Sequence, residues 1–242
     1  MEGKMESKMK SALVIGGTRG FGKAISDELA KRKFEVFTIG RSEDSTFRCD
    51  LSDKKAFRRI LRKIRRSLPK IDVLACVAGF ARARRPVDLM EKDFEITMQC
   101  NLGYVSQALD MLSRNVHAAE DGRIITIGSK WSLRDDCSLL VPYIKAKHKL
   151  IEFVRENSDE NNISCFCVPS MKTPGYGEVR SSFERIGFSE IPQENLGSVN
   201  KVSKSIIKHS LENQVPGLIC KVSPCGKIEE NLMKGGNKPN GK

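Results

Sequence analysis

The pattern that most narrows the possible folds is an alternation of short apolar runs with longer amphipathic ones. Runs at 12–15, 36–39, 73–77, 124–127, 163–168 and 218–222 read as strands. Between most of them, spaced apolar residues on a polar background at 21–32, 54–67, 91–112, 143–157 and 199–212 read as helices. Strand and helix in turn make βαβ units, so the predicted fold is α/β: a doubly wound parallel sheet of about seven strands flanked by helices. At 242 residues the chain is long enough to bury one core, and no internal linker interrupts it. Residues 11–230 are therefore read as a single domain. Residues 1–10, polar and Lys-rich, and 231–242, ending GGNKPNGK, read as flexible ends.

Composition removes several function classes. No secretory signal opens the chain, and no stretch approaches the roughly 20 apolar residues of a membrane span, so a cytoplasmic protein without membrane contact is expected. The eight cysteines are scattered and several lie in apolar strands, which suits reduced, buried thiols. Cys165 and Cys167 are expected on opposite faces of their strand, which argues against a shared metal or a bridge. With three histidines in no ligand spacing, no metal site is expected. The net charge of +12 has a structural home in 54–66, where Phe57, Ile60, Leu61 and Ile64 repeat at helical spacing and the cations fall on the solvent side. No nucleic-acid motif accompanies it, so no nucleic-acid partner is expected.

The first strand runs directly into Gly16-Gly17-Thr18-Arg19-Gly20-Phe21-Gly22. Glycines there let the backbone approach a pyrophosphate, whose charge is met by free N–H groups at the start of the next helix. The second strand selects the dinucleotide. A cofactor without a 2′-phosphate is usually held by an acid about 20 residues on, but this strand ends Ile39-Gly40-Arg41-Ser42. Arg41 and Arg19 instead offer guanidinium groups to a 2′-phosphate, which predicts NADP(H).

Tyr143 and Lys147 stand four residues apart in a predicted helix, which sets both on one face. An ammonium beside a phenol favours the ionised form. The pair is expected to lower the tyrosine pKa and supply a proton donor and acceptor near neutral pH.

With these motifs together, residues 11–222 resemble the short-chain dehydrogenases/reductases, NAD(P)-dependent oxidoreductases with a Rossmann-like domain. The family's G-x-x-x-G-x-G is met by Gly16, Gly20 and Gly22. Its adenine-contacting acid is similar to Asp50 in Arg48-Cys49-Asp50-Leu51, and its Asn-Asn-Ala-Gly is represented by Cys76-Val77-Ala78-Gly79. The resemblance places the catalytic asparagine at Asn101, the catalytic serine at Ser129 and the Tyr-x-x-x-Lys pair at Tyr143 and Lys147. In Pro169-Ser170-Met171-Lys172-Thr173 it places the nicotinamide-side segment, with Ser170 where the family has glycine. It implies that 174–196 forms a lid and pocket wall, so Tyr176 and Phe183 join Ser129 and Tyr143 as substrate contacts. Family members usually assemble as homodimers or homotetramers.

The implied chemistry is hydride transfer from NADPH to a small-molecule ketone carbonyl. Tyr143 delivers the proton, Ser129 bonds the carbonyl oxygen, Lys147 grips the nicotinamide ribose, and Asn101 holds a water that resupplies the proton. One alternative is a 3-oxoacyl-carrier-protein reductase, in which Arg82, Arg84 and Arg85 meet an acidic acyl carrier protein. Ser223-Pro224-Cys225-Gly226 departs from that group's glycine-pair ending. A second alternative is a non-catalytic NADPH-binding regulator, against which the four filled catalytic positions argue.

Overall fold

A computed structural model describes residues 9–133, 138–188, 196–213 and 216–229. The strands are β1 (Ser11–Ile15), β2 (Glu35–Gly40), β3 (Phe47–Arg48), β4 (Val73–Cys76), β5 (Arg123–Ser129), β6 (Ile163–Val168), β7 (Ile219–Val222) and β8 (Ile228–Glu229). They form one sheet in the order β3-β2-β1-β4-β5-β6-β7-β8, parallel except for the β7–β8 pair. The order reverses between β1 and β4, and such a switch point opens a ligand crevice at the carboxyl ends of the strands.

Both faces of the sheet are covered, as unbroken apolar strands require. Along β1, Leu13 and Ile15 pack on one side with Phe57, Leu61 and Ile64 of α2 (Lys54–Ser67), with Leu112 and Val116 of α4 (Tyr104–His117), and with Leu150 and Val154 of α5 (Val141–Glu156). Ala12 and Val14 face the other side, against Ile25 and Leu29 of α1 (Gly20–Lys31) and Val202 and Ile206 of α7 (Val199–Glu212). The aromatic rings of Phe57 and Tyr104 meet edge to face at 6.3 Å, which joins α2 to α4.

Helix starts follow from local chemistry. Asp53 accepts from the backbone N–H groups of Lys55 and Ala56, both at 2.9 Å, and so caps α2. The Lys and Arg residues of that helix are exposed around a buried Phe57–Leu61–Ile64 stripe, as its spacing predicts. Asp53→Ala should cost about 1 kcal/mol and lower Tm by about 2–4 °C; an unchanged melting curve would show the cap to be redundant.

The eight strands agree with the expected doubly wound sheet of about seven, the two-residue β3 and β8 carrying no periodicity of their own. Other expectations need correction. The predicted helix at 91–112 is three elements: α3 (Glu91–Met98), a π-helical turn (Gln99–Gly103) and α4, which runs on to His117. A further helix, α6 (Pro174–Arg185), occupies the start of the expected lid. Cys165 and Cys167 share a face of β6, both buried in the cluster that holds Leu13 and Ile15. Second neighbours on a strand point the same way; expecting them to diverge misread that parity. Residues 1–8 and 230–242, Cys137, and 189–195 of the expected lid lie outside the described residues.

Among the described residues, no helix is long and apolar enough to cross a membrane, and no group of three or more His, Cys, Asp or Glu is placed to hold a metal.

Candidate active site

The crevice at the β1–β4 switch has a volume of about 270 Å³ and is lined by the turn after β1, the end of β2, the segment after β3, the end of β4 and the start of α6. Gly16, Thr18, Arg19, Gly20, Phe21 and Gly22 border it, with Arg41 and Asp50-Leu51 at one end and Ala78-Gly79 and Thr173 at the other. Ser42 does not line it; its hydroxyl is 3.3 Å from a carboxylate oxygen of Asp44. Asp50 accepts from the backbone N–H and the hydroxyl of Ser52, and these bonds, with Arg41 nearby, hold its carboxyl below the usual range.

The glycines of the turn are required by its own close packing. A Cβ on Gly22 would lie 1.9 Å from the carbonyl oxygen of Gly16. Gly16 has φ of +88°, and its N–H donates to the Ile39 carbonyl at 2.7 Å. The tight turn thus brings the start of α1, with its free N–H groups, to the crevice wall.

The segment after β4 is held by side chains from the π-helical turn and α4. The Tyr104 hydroxyl donates to the Ala78 carbonyl at 2.8 Å, and Asn101 Nδ2 donates to the carbonyls of Phe80 (2.7 Å) and Thr97 (2.9 Å). Gln99 Nε2 donates to the Leu51 carbonyl at 3.0 Å, so the same turn also fixes the Asp50-Leu51 end of the crevice. A π-helical turn re-aims consecutive side chains and often marks a functional site. Cys76 is buried and its thiol is pushed up to about 12, which leaves it unreactive.

Ser129 ends β5 and is buried; its hydroxyl accepts from the Trp131 N–H at 3.2 Å and lies near enough to Tyr143, at the start of α5, to act on its titration. One helical turn on, Lys147 is buried, with Nζ 5.8 Å from the Tyr143 ring centroid and donating to the Ile127 carbonyl at 2.7 Å. The expected lowering of the tyrosine pKa is not what this geometry produces. Burial raises Tyr143 above its ordinary value, opposed by the Ser129 hydroxyl. Burial likewise lowers Lys147 to about 8, and its Nζ bonds the Ile127 carbonyl while lying over the Tyr143 ring.

Gly79 joins the crevice to this cluster. The space where its Cβ would stand is 3.1 Å from Asn101 Oδ1 and 3.8 Å from Lys147 Nζ, so both polar groups face one point on the crevice wall. Ser170, replacing glycine, is not in the left-handed region, since Lys33 is the described non-glycine residue with positive φ. Its hydroxyl accepts from Trp131 Nε1 at 3.1 Å. Pro169 and Ser170 do not line the crevice. Phe183 is buried with Ala83, Trp131, Leu140 and Ile144 against Tyr143, whereas Tyr176 is not brought to this cluster. Sequence reading also missed Gly40, Val77, Phe80, Cys100 and Glu178 on the crevice wall. Of these, Glu178 had a findable signal: Thr173 and Pro174 are a cap and first-turn proline for the helix that carries it.

A glycine-rich turn at a sheet switch point, beside buried Ser129, Lys147 and Asn101 with the partly buried Tyr143, suits the class of dinucleotide-dependent oxidoreductases. The sequence matches the family model described as short chain dehydrogenase over residues 10–182, and the chain belongs to that family, whose members are NAD(P)-dependent oxidoreductases acting on CH–OH/C=O pairs. A curated relative, the 3-oxoacyl-[acyl-carrier-protein] reductase FabG of Escherichia coli, is 25% identical over 221 residues, covering 84% of this chain and 90% of the relative. Among solved structures, the RhlG/NADP complex of Pseudomonas aeruginosa is similar with a TM-score of 0.77 and 18% identity, over 90% of this chain and 96% of that one. A short chain dehydrogenase of Burkholderia cenocepacia in complex with NADP gives 0.74 and 20%, over 90% and 97%. At these identities the structural likeness carries the fold alone.

Proposed function

We propose that the protein is an NADPH-dependent carbonyl reductase, taking a small-molecule ketone as substrate. The observation that carries this reading is Lys147 buried one turn below Tyr143, with Nζ 5.8 Å from the Tyr143 ring centroid, beside buried Ser129 at the end of β5. Bound NADPH supplies the hydride. Ser129 and Tyr143 hold the carbonyl oxygen by two hydrogen bonds that strengthen as charge develops on it. Tyr143 is kept protonated by burial, so it is ready to give its proton to that oxygen. Lys147 and Asn101 face the crevice wall at Gly79, where they serve to hold ribose hydroxyls and a relay water. Gly16 to Gly22 receive the pyrophosphate, Asp50 and Leu51 flank the adenine, and Thr173 meets the nicotinamide amide. Arg19 and Arg41 receive the 2′-phosphate; among the described residues the crevice wall carries no acid at the end of β2.

The 3-oxoacyl-carrier-protein reductase reading is favoured by the relative from Escherichia coli. It gains little from the arginine cluster. Arg84 is 3.4 Å from Asp93 and Arg85 is 2.6 Å from Asp88, while Arg82 lies over the Phe80 ring. Two of the three cations proposed to meet an acidic carrier are thus already paired.

The test is oxidation of NADPH and NADH by purified protein with a panel of ketones, diketones and 3-oxoacyl thioesters. Turnover with NADPH well above that with NADH is the expected result, and the substrate giving it separates the two readings. NADPH binding without turnover on any carbonyl would overturn both in favour of a regulator.

A further inference from the structure

Arg19, assigned above to the 2′-phosphate, already has an anion. Its Nη2 stands 3.4 Å from Glu178 Oε1 on α6, and both side chains line the crevice and are about half exposed. Arg19 is the residue before α1, and its side chain makes no cap bond with that helix. Glu178 is well supported. Thr173 Oγ1 accepts from the Tyr176 N–H at 3.2 Å to start α6, and the Ala83 N–H donates to Ser182 Oγ at 2.8 Å one turn beyond Glu178. Val179 and Phe183 of the same helix pack into the apolar cluster beside Tyr143. The acid is therefore held over the crevice by a helix anchored on both sides of it. Arg41 makes no ion pair within 4 Å among the described residues, although it acts on the nearby Asp50 carboxyl.

We propose that Glu178 is a specificity-determining acid: it competes with the cofactor's 2′-phosphate for Arg19 and so weakens the preference for NADP(H) over NAD(H). This rests on the reading of Arg19 as a phosphate ligand. A phosphate arriving at Arg19 must displace the carboxylate or share the guanidinium with it, and either way it meets a negative charge that a cofactor lacking the phosphate does not meet. NADH leaves the Arg19–Glu178 pair intact and pays no such penalty. Exposed ion pairs are worth on the order of 0.2–1 kcal/mol, and each 1.4 kcal/mol is tenfold in affinity, so the effect is modest and readable.

The experiment measures Kd for NADPH and NADH, by calorimetry or nicotinamide fluorescence, for the wild type, Glu178→Gln, Arg19→Gln and the double variant, with melting curves to confirm folding. Glu178→Gln should tighten NADPH about 1.4- to fivefold and leave NADH unchanged. Arg19→Gln should weaken NADPH alone, and in its presence the Glu178→Gln effect should vanish, as coupled neighbours require. If Arg19→Gln weakens NADPH while Glu178→Gln changes nothing, the proposal fails and the phosphate reading stands. Equal tightening of NADPH and NADH by Glu178→Gln also overturns it, because the acid then acts on the dinucleotide as a whole. If Arg19→Gln spares NADPH, the assignment of Arg19 falls and takes the proposal with it.

Discussion

Tyr143→Phe is expected to lower the turnover of NADPH-dependent carbonyl reduction by about 10²–10⁴-fold, the usual worth of a positioned proton donor. The substitution removes one oxygen at a site where phenylalanine keeps the packing with Trp131, Leu140 and Ile144. The buried Ser129 hydroxyl keeps the Trp131 N–H at 3.2 Å as its donor. NADPH affinity should stay near the wild-type value, since Tyr143 is not part of the crevice wall. The pH dependence of the wild type follows from the same geometry. Reduction needs a protonated Tyr143 and a charged Lys147. Burial keeps the phenol protonated to above its ordinary value, while Lys147 loses its proton through about 8. Reduction should therefore decline as pH rises through about 8, with the lysine and not the tyrosine setting that limb. A variant as active as the wild type, or a rate flat across this window, would remove Tyr143 and Lys147 from the mechanism.

How much of this was legible depended on whether the signal was local. The central strands were read nearly to the residue, because continuous apolar runs such as 163–168 are what a strand buried on both faces looks like. The edges β3 and β8 were not, since two residues carry no period. In α6 the apolar residues Tyr176, Val179 and Phe183 do recur at helical spacing, but Gly175 and Gly177 weaken it and the cap at Thr173 was read only as a cofactor contact. The π-helical turn was invisible for a different reason. One extra residue within a continuous helix leaves the apolar pattern on both sides intact and shifts only its phase, yet that shift is what points Gln99 at Leu51 and Asn101 at Phe80.

The proposed catalytic residues Tyr143 and Lys147 do lie side by side, but their electrostatics differ from what their spacing suggested. Four-residue spacing sets Tyr143 and Lys147 on one face, but it is silent about the Ile127 carbonyl, 20 positions away in sequence, that takes the lysine's proton donor. Nor does spacing reveal how deeply either group is buried, and desolvation is the largest influence on both. The pairing of Arg19 with Glu178 is of the same kind, since it exists only once α6 is folded across the crevice.

The second large effect is expected at Gly22, where the fold and the cofactor site share one backbone contact. Gly22→Ala places a Cβ 1.9 Å from the Gly16 oxygen and 2.8 Å from its carbonyl carbon, both main-chain atoms with no side-chain freedom to give way. Gly16 cannot retreat, because its N–H is bound to the Ile39 carbonyl and its own Cβ space is only 2.8 Å from Ala78. Relief must come from the first turn of α1 lifting away, which drags Ile25 and Leu29 from the core they share with Val202 and Ile206. Overpacking of this kind costs about 1–3 kcal/mol, or about 2–12 °C in Tm for a chain of this size. NADPH affinity should fall by about tenfold or more, because the N–H groups of α1 no longer face the pyrophosphate as one set. Gly177→Ala is the matched control. It lies within α6 with no atom inside 4 Å of the added Cβ, so exchanging glycine for alanine there should stabilise by about 0.5–1 kcal/mol. If Gly22→Ala binds NADPH and melts like the wild type, the turn is not held by the Gly16–Gly22 contact and its role as the pyrophosphate cradle fails.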